Sequence, residues 1–318
     1  MRSTRRAFIT GLASCLWASN GNARVEQDKS PELGGGVDTR FTTHNLSFGG
    51  SGRAVHAARV YVPHGLDSNR SWPVAILLHG YAQALASERA LAAWRAEYSV
   101  LEAYTELQLG TVGTTPSLGN ERAQQITHEL QENPFSGMVL VTPVTPIPYF
   151  QRNLGHTLTR YTEWIHGELL PRIANIAPIS TAPEDIGLAG VSMGGLVGLE
   201  LMWRFPEKFG AYCGIQIAIK RAQVYNYAWL LQRAFNHIDH GHGRPIRVVT
   251  ATRDTYRRSN QAFYKALLKQ KVDVSLQLRK GAHTSRWMRQ AGSLESLLWL
   301  DRTLNHQNPS PDLGSPAE

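Results

Sequence analysis

The sequence predicts an α/β domain: a mostly parallel central sheet with helices on both faces, entered through an N-terminal antiparallel hairpin. Three observations carry this. Unbroken apolar runs recur at residues 72–80, 138–141, 186–191, 213–219 and 246–251, and continuous runs mark strands covered on both faces. Between them lie stripes at helical spacing, so strands alternate with helices. The chain has 318 residues with 42% hydrophobic content and no apolar run long enough to span a bilayer. That suits one sizeable soluble domain without stable membrane insertion.

In chain order, residues 1–23 carry Arg2, Arg5 and Arg6, an apolar stretch over 7–18, and then small polar residues. This is the layout of an export signal, and residues 4–9 resemble the twin-arginine type, so the mature protein is expected in the periplasm or outside the cell. Cleavage after Ala23 would leave Cys213 as the only cysteine and exclude a disulfide. Leu12-Ala-Ser-Cys15 is a rival lipoprotein box, but the apolar run continues through Leu16 and Trp17, which argues against a lipid anchor at Cys15. Residues 24–37 read as a disordered linker, 38–305 as the folded domain and 306–318 as a disordered tail.

Residues 40–48 and 54–62 read as hairpin strands around Gly-Gly-Ser-Gly. The strand over 72–80 ends at His79-Gly80. Leu91, Trp94, Tyr98 and Leu101 make one helical stripe, and Leu158, Tyr161, Ile165, Leu169 and Ile173 another. Residues 81–136 exceed what one crossover helix needs, and the polar, irregular part over 110–120 reads as a flap over a site. Pro143, Pro146 and Pro148 with Tyr149 and Phe150 form a loop at a strand's carboxyl end, where ligands of open α/β sheets bind. The strand over 272–278 alternates, with Asp273, Ser275 and Gln277 on its other face, which places it near a sheet edge. A helix over 286–304 closes the fold.

Chemistry centres on Ile186-Gly-Leu-Ala-Gly-Val-Ser-Met-Gly-Gly195, an apolar strand running into GxSxG. In such a nucleophile elbow the strand turns sharply into a helix and the serine projects above the sheet. Gly190 and Gly194 remove the Cβ atoms that would collide, and Gly195 lets the helix pack closely. Leu196, Leu199, Met202 and Trp203 continue at helical spacing until Pro206. A serine hydroxyl is a weak nucleophile at neutral pH, so Ser192 needs a base, and the base needs an orienting acid.

Strand order supplies both: Asp254 follows the strand over 246–251, and His283 follows the strand over 272–278. Asp273 is the rival acid, but it lies within a strand and should face solvent. The other histidines fit less well. His79 sits at a strand exit, and His156 and His166 lie in or beside a helical pattern. His237, His240 and His242 with Asp239 match no strong ligand spacing, so no metal is expected. For an oxyanion, two amides are expected: Met193 N–H after the nucleophile and Tyr81 N–H after His79-Gly80, with Gly80 as the fallback.

The formal charge of +8 falls to +5 once the three leader arginines are removed, a mild excess compatible with an anionic surface or polymer. No basic run with interleaved aromatics suggests nucleic-acid binding.

The segments at residues 58–63 and 72–80, Gly187 through Gly195 with Phe205-Pro-Glu-Lys-Phe209, and Gly281-Ala-His283 with Trp287 resemble the esterase D-like serine esterases. That group includes feruloyl esterases, enterochelin esterases and mycolyltransferases. The resemblance runs over about residues 40–304. It implies an α/β-hydrolase fold, no cofactor, and ester cleavage or acyl transfer through a serine acyl-enzyme, with Ser192, Asp254 and His283 as the triad. The expected partner is a small-molecule or polymer-linked ester. Acyl transfer to a sugar or lipid hydroxyl is the first alternative, and a non-catalytic binding protein on the same scaffold is the second. Residues 81–136 and 220–244, the latter with Tyr225, Tyr227 and Trp229, depart from the family and are expected to shape the pocket.

Overall fold

The computed structural model describes residues 40–48, 56–238 and 244–306. Its strands are β1 (Phe41–Phe48), β2 (His56–Pro63), β3 (Val74–Leu78), β4 (Val139–Pro143), β5 (Ile186–Val191), β6 (Ala211–Ile215), β7 (Ile246–Arg253) and β8 (Val274–Ala282). They form one sheet in the order β1-β2-β4-β3-β5-β6-β7-β8. β1 pairs antiparallel with β2 and β2 with β4, and every other neighbouring pair is parallel. The expected hairpin and parallel sheet are both present. The hairpin's Gly-Gly-Ser-Gly turn lies outside the described residues, as do the leader, the linker and the tail beyond residue 306.

A strand with period 2 that is apolar throughout must be covered twice, and β3 illustrates it. Val74, Ile76 and Leu78 enter one core layer, while Ala75 and Leu77 enter the other. The first layer is closed by α5 (Leu154–Trp164), α6 (Met193–Arg204), α7 (Val224–Phe235) and α8 (Arg257–Lys269). The second is closed by α2 (Ser87–Ala96), α3 (Val100–Leu109), α4 (Asn120–Glu132) and α9 (Ser293–Leu304). α1 (Tyr81–Ala84) is a single turn after β3.

Four expectations need correction. The stripe from Leu91 to Leu101 is two helices, because Ser99 takes a left-handed conformation (φ 52°) between α2 and α3. The apolar run over 213–219 leaves the sheet after Ile215. Gln216 has φ 48°, and Asn260 then clamps Ile217, accepting its N–H at 3.0 Å and donating to its C=O at 2.9 Å. The polar stretch after α3 is fastened down instead of hanging as a flap. Thr115 Oγ1 donates to Gln290 O (2.6 Å) and Ser117 Oγ to Gln290 Oε1 (2.8 Å). Gln290 lies in the π turn Met288–Gly292, which joins the short helical turn Ser285–Trp287 to α9 within the predicted closing helix.

The fourth concerns β8, which is an edge strand as expected but is covered on its polar face. Arg247 donates to Ser275 Oγ (3.0 Å) and to buried Gln277 Oε1 (2.7 Å). Alongside, Glu295 receives Arg122 (2.9 Å) and Arg279 (2.8 Å). Burial alone would raise the Glu295 pKa, but Arg122, Arg279 and Arg247 together hold it at about 2. Asp273, ahead of β8, is exposed as expected.

Candidate active site

β5 runs fully buried to Val191, and the chain reverses into α6 through Ser192, whose backbone sits at φ 56°, ψ −113°. Such a conformation costs a non-glycine residue about 1–3 kcal/mol and persists only where its surroundings over-determine it. Three backbone bonds do so. Ser192 N–H donates to Ile215 O (2.9 Å), and Ser192 C=O accepts from Leu196 (3.1 Å) and Ala218 (3.1 Å). Crowding does the rest: a Cβ on Gly190 would overlap the Gly194 carbonyl, and one on Gly194 would overlap the Leu78 carbonyl. Both obstacles are backbone and cannot swing aside. The two glycines are therefore a steric condition for the turn, as the sequence predicts.

Asp254 and His283 come together two strands away. β7 and β8 shift register between Ala251 and Arg253, an irregularity of the kind that re-aims the residues beyond it. Asp254 follows at once, its side chain fully buried, and His283 Nδ1 lies 2.8 Å from its Oδ1. Tyr256 N–H also reaches Oδ1 (3.0 Å), and Thr250 Oγ1 donates to Oδ2 (2.7 Å). A carboxylate accepting at Oδ1 makes Nδ1 the protonated nitrogen of a neutral His283, leaving Nε2 as a lone pair. The ring is partly exposed and meets Tyr256 edge-on at 5.5 Å.

Gln216 ties this pair to the elbow. Its N–H donates to Val249 O (2.7 Å) and its Nε2 to Ala282 O (3.1 Å), so Ser192, Ile215, Gln216, Ala282 and His283 form a continuous chain of contacts along one sheet edge. The hydrogen bond from Ser192 Oγ to His283 is not formed in this structure.

The two expected oxyanion amides each open a helix, Met193 in α6 and Tyr81 in α1, and first-turn N–H groups have no intrahelical acceptor. The fallback amide is engaged, since Gly80 N–H points to Tyr98 Oη at 3.4 Å. What aims the Tyr81 amide is the histidine at the exit of β3, whose position in the sequence signals no such role. Fully buried His79 places Nδ1 3.0 Å from Gly80 O and accepts Thr145 N–H at Nε2 (2.9 Å), while its own N–H donates to Thr145 Oγ1 (3.1 Å). Because the Gly80–Tyr81 peptide is a trans plane, fixing its carbonyl fixes the direction of the Tyr81 N–H. One nitrogen donates and the other accepts, which requires the neutral ring. Burial accordingly lowers the His79 pKa to about 4, with the Gly80 bond and Glu97 acting the other way.

Other candidates fall elsewhere. His156 is exposed on α5, and His166 sits in a π turn with its pKa lowered to about 4, first by burial and then by Lys208. His237 is exposed, and Asp239, His240 and His242 lie outside the described residues. Of the aromatic trio on α7, Tyr227 is core and donates to Glu200 Oε1 (2.6 Å), whereas Tyr225 and Trp229 are exposed. Tyr81 meets Tyr149 at 6.1 Å and Phe150 at 6.4 Å, so the proline loop borders the turn that carries the Tyr81 amide.

Comparison with known proteins agrees with this architecture. Residues 149–282 match the Esterase family model, described as "Putative esterase", a span that includes the elbow and ends one residue before His283. No curated protein matches the chain. Among solved structures, a ferulic acid esterase aligns with a TM-score of 0.57 at 16% identity, covering 83% of this chain and 99% of that one. An S-formylglutathione hydrolase from Staphylococcus aureus gives 0.59 at 14%, covering 82% and 99%. The feruloyl esterase module from Clostridium thermocellum gives 0.58 at 11%, covering 86% and 92%. At these identities the structural likeness establishes the fold. The family match spans residues 149–282, less than half of the chain, and the solved structures show that the chain shares the fold of these esterases and hydrolases.

Proposed function

We propose that the protein is a carboxylic ester hydrolase that works through Ser192, His283 and Asp254, and that the mature protein is exported. The observation that carries the mechanism is the 2.8 Å contact between His283 Nδ1 and buried Asp254, on the same sheet edge as a serine held at positive φ. His283 Nε2 takes the Ser192 hydroxyl proton as Oγ attacks the ester carbonyl, and the protonated imidazole is stabilised by Asp254. The Met193 and Tyr81 amides receive the oxyanion, each contributing on the order of a hundredfold to a thousandfold. Collapse expels the alcohol with the proton from His283, leaving an acyl-Ser192. Water, deprotonated by the same histidine, then releases the acid. Export rests on the paired Arg5-Arg6 ahead of the apolar stretch.

A panel of chromogenic esters, from acetyl to long acyl and including an aromatic acyl group, tests the mechanism with the mature protein and with Ser192→Ala. The variant should lose turnover by roughly a millionfold, to background. Retained activity contradicts the assignment. Fractionation of a producing cell tests export, and residence of the processed protein in the cytoplasm contradicts it.

A further inference from the structure

The charge of this chain is not spread evenly. Residues 208–294 contain sixteen Lys and Arg against three Asp, a net of +13, so the rest of the chain nets −5. The topology turns that sequence bias into a spatial one. β6, β7 and β8 are consecutive at one end of the eight-stranded sheet, so the described part of the basic segment lies on one side of it, with Ser192 at its border.

On that side, the loops at the carboxyl edge are basic in a particular way. Arg221 lies three residues past Ala218, whose N–H binds Ser192 O. Arg253 and Arg257 bracket Asp254, and Arg286 lies three residues past His283. Arg152, from the neighbouring proline loop, follows Phe150, which packs near Tyr81. In the five loops over 79–88, 144–153, 216–223, 254–257 and 283–287 the only acids are Glu88 and Asp254. Asp254 is already committed to His283.

These arginines also differ in partners. Arg152, Arg221, Arg253, Arg257 and Arg286 have no side-chain hydrogen bond or ion pair among the described residues. Arg122, Arg204, Arg279 and Arg302, outside these loops, are all in ion pairs, as is Arg89 just past the first loop, with Glu97. Unpaired guanidinium groups on the loops beside a site concentrate positive potential there and raise encounter with anions by about tenfold to a thousandfold at low salt.

From this we infer that the enzyme is selective for anionic esters, in which a carboxylate or phosphate on the acyl or alcohol part sits a few bonds from the scissile carbonyl. The inference rests on the hydrolase reading above and adds the substrate class. Neutral esters fit the same Ser192 chemistry but leave the loop arginines unused.

The test compares 4-nitrophenyl hexanoate with mono-4-nitrophenyl adipate, its counterpart ending in a carboxylate, and phenyl acetate with 4-acetoxyphenyl phosphate. The adipate and phosphate arms distinguish a carboxylate on the acyl side from a phosphate on the alcohol side. At about 20 mM salt at least one anionic ester should exceed its neutral partner in kcat/KM by about tenfold, and the ratio should collapse toward one at about 500 mM. Arg221→Gln/Arg257→Gln/Arg286→Gln should lose most of the ratio. Lys208→Gln/Lys269→Gln, at the opposite edge of the same basic segment, should keep it.

Neutral and anionic esters turned over alike, or a ratio indifferent to both salt and the triple variant, overturns the inference and leaves the hydrolase reading intact. Titration of Ser192→Ala with the adipate ester reads binding without turnover. Salt-dependent binding lost in the triple variant supports the inference even if Ser192 proves dispensable for activity, and equal binding of hexanoate and adipate overturns it.

Discussion

The elbow after β5 is held by what its residues lack, whereas the turn after β3 is held by what a distant residue supplies. At the elbow, Gly190 and Gly194 permit two backbone segments to touch, and Ser192 is forced into positive φ between them. At the turn after β3, Gly80 has an ordinary extended conformation, and the direction of the next amide depends on His79 bonding across to the Thr145 loop. One constraint is steric and local in sequence. The other is a hydrogen-bond network that spans two strands and requires a neutral imidazole. The contrast teaches that the two amides proposed to serve one oxyanion are preorganised by unrelated physics and should fail in different ways.

The largest effect expected outside Ser192 belongs to the pair that both turns serve. Asp254→Asn should lower kcat by about ten-thousandfold with the fold retained, because the amide no longer selects the tautomer with a free Nε2. Asp273→Asn, exposed ahead of β8, should leave kcat unchanged, and the reverse result would reassign the acid. Breaking the elbow should show in stability as well as rate. Gly194→Ala drives a Cβ into the Leu78 carbonyl and should cost about 3 kcal/mol in denaturant unfolding together with activity.

Breaking the other turn should separate the two readouts. His79→Asn should lower kcat by about a hundredfold with little change in KM, since the amide it aims acts on the oxyanion. It also removes a pH dependence. The folded pKa of His79, about 4, lies below the ordinary 6.5, so the unfolded chain binds the proton first. The stabilisation by neutral His79 is complete above pH 6.5 and is lost as pH falls from there through about 4, a decline of about 3 kcal/mol. Unfolding curves across that window should show a smaller decline in His79→Asn than in the native protein, because the share of His166, also lowered to about 4, remains. Tyr225→Ala, on the exposed side of α7, should change stability by no more than about 0.5 kcal/mol.

These cases also show how far the sequence could be read. The strand runs, the elbow and the order of Ser192, Asp254 and His283 were legible because each rests on local composition: apolar continuity, glycine where backbone meets backbone, polar residues just past strand ends. Ser99 and Gln216 were not legible, since a left-handed serine or glutamine carries no signal and the tertiary contact that imposes it is remote. The flap was not legible as a fastened segment because its polar residues carry no sign of a partner, and Thr115 and Ser117 bond Gln290, which lies in a π turn. The clue to His79 was burial at the end of an apolar run. A histidine there must find both an acceptor and a donor, and Thr145 lay in the next loop along the sheet edge.

The most direct test of the mechanism is to trap the acyl-enzyme. The protein is mixed with a 4-nitrophenyl ester, quenched in acid within the first turnover and examined by mass spectrometry after proteolysis. The mechanism proposed here predicts a mass gain of one acyl group on the peptide that contains Ser192, released with time, and absent in Ser192→Ala. Turnover without any adduct in the native protein, or an adduct on another residue that persists in Ser192→Ala, would contradict it.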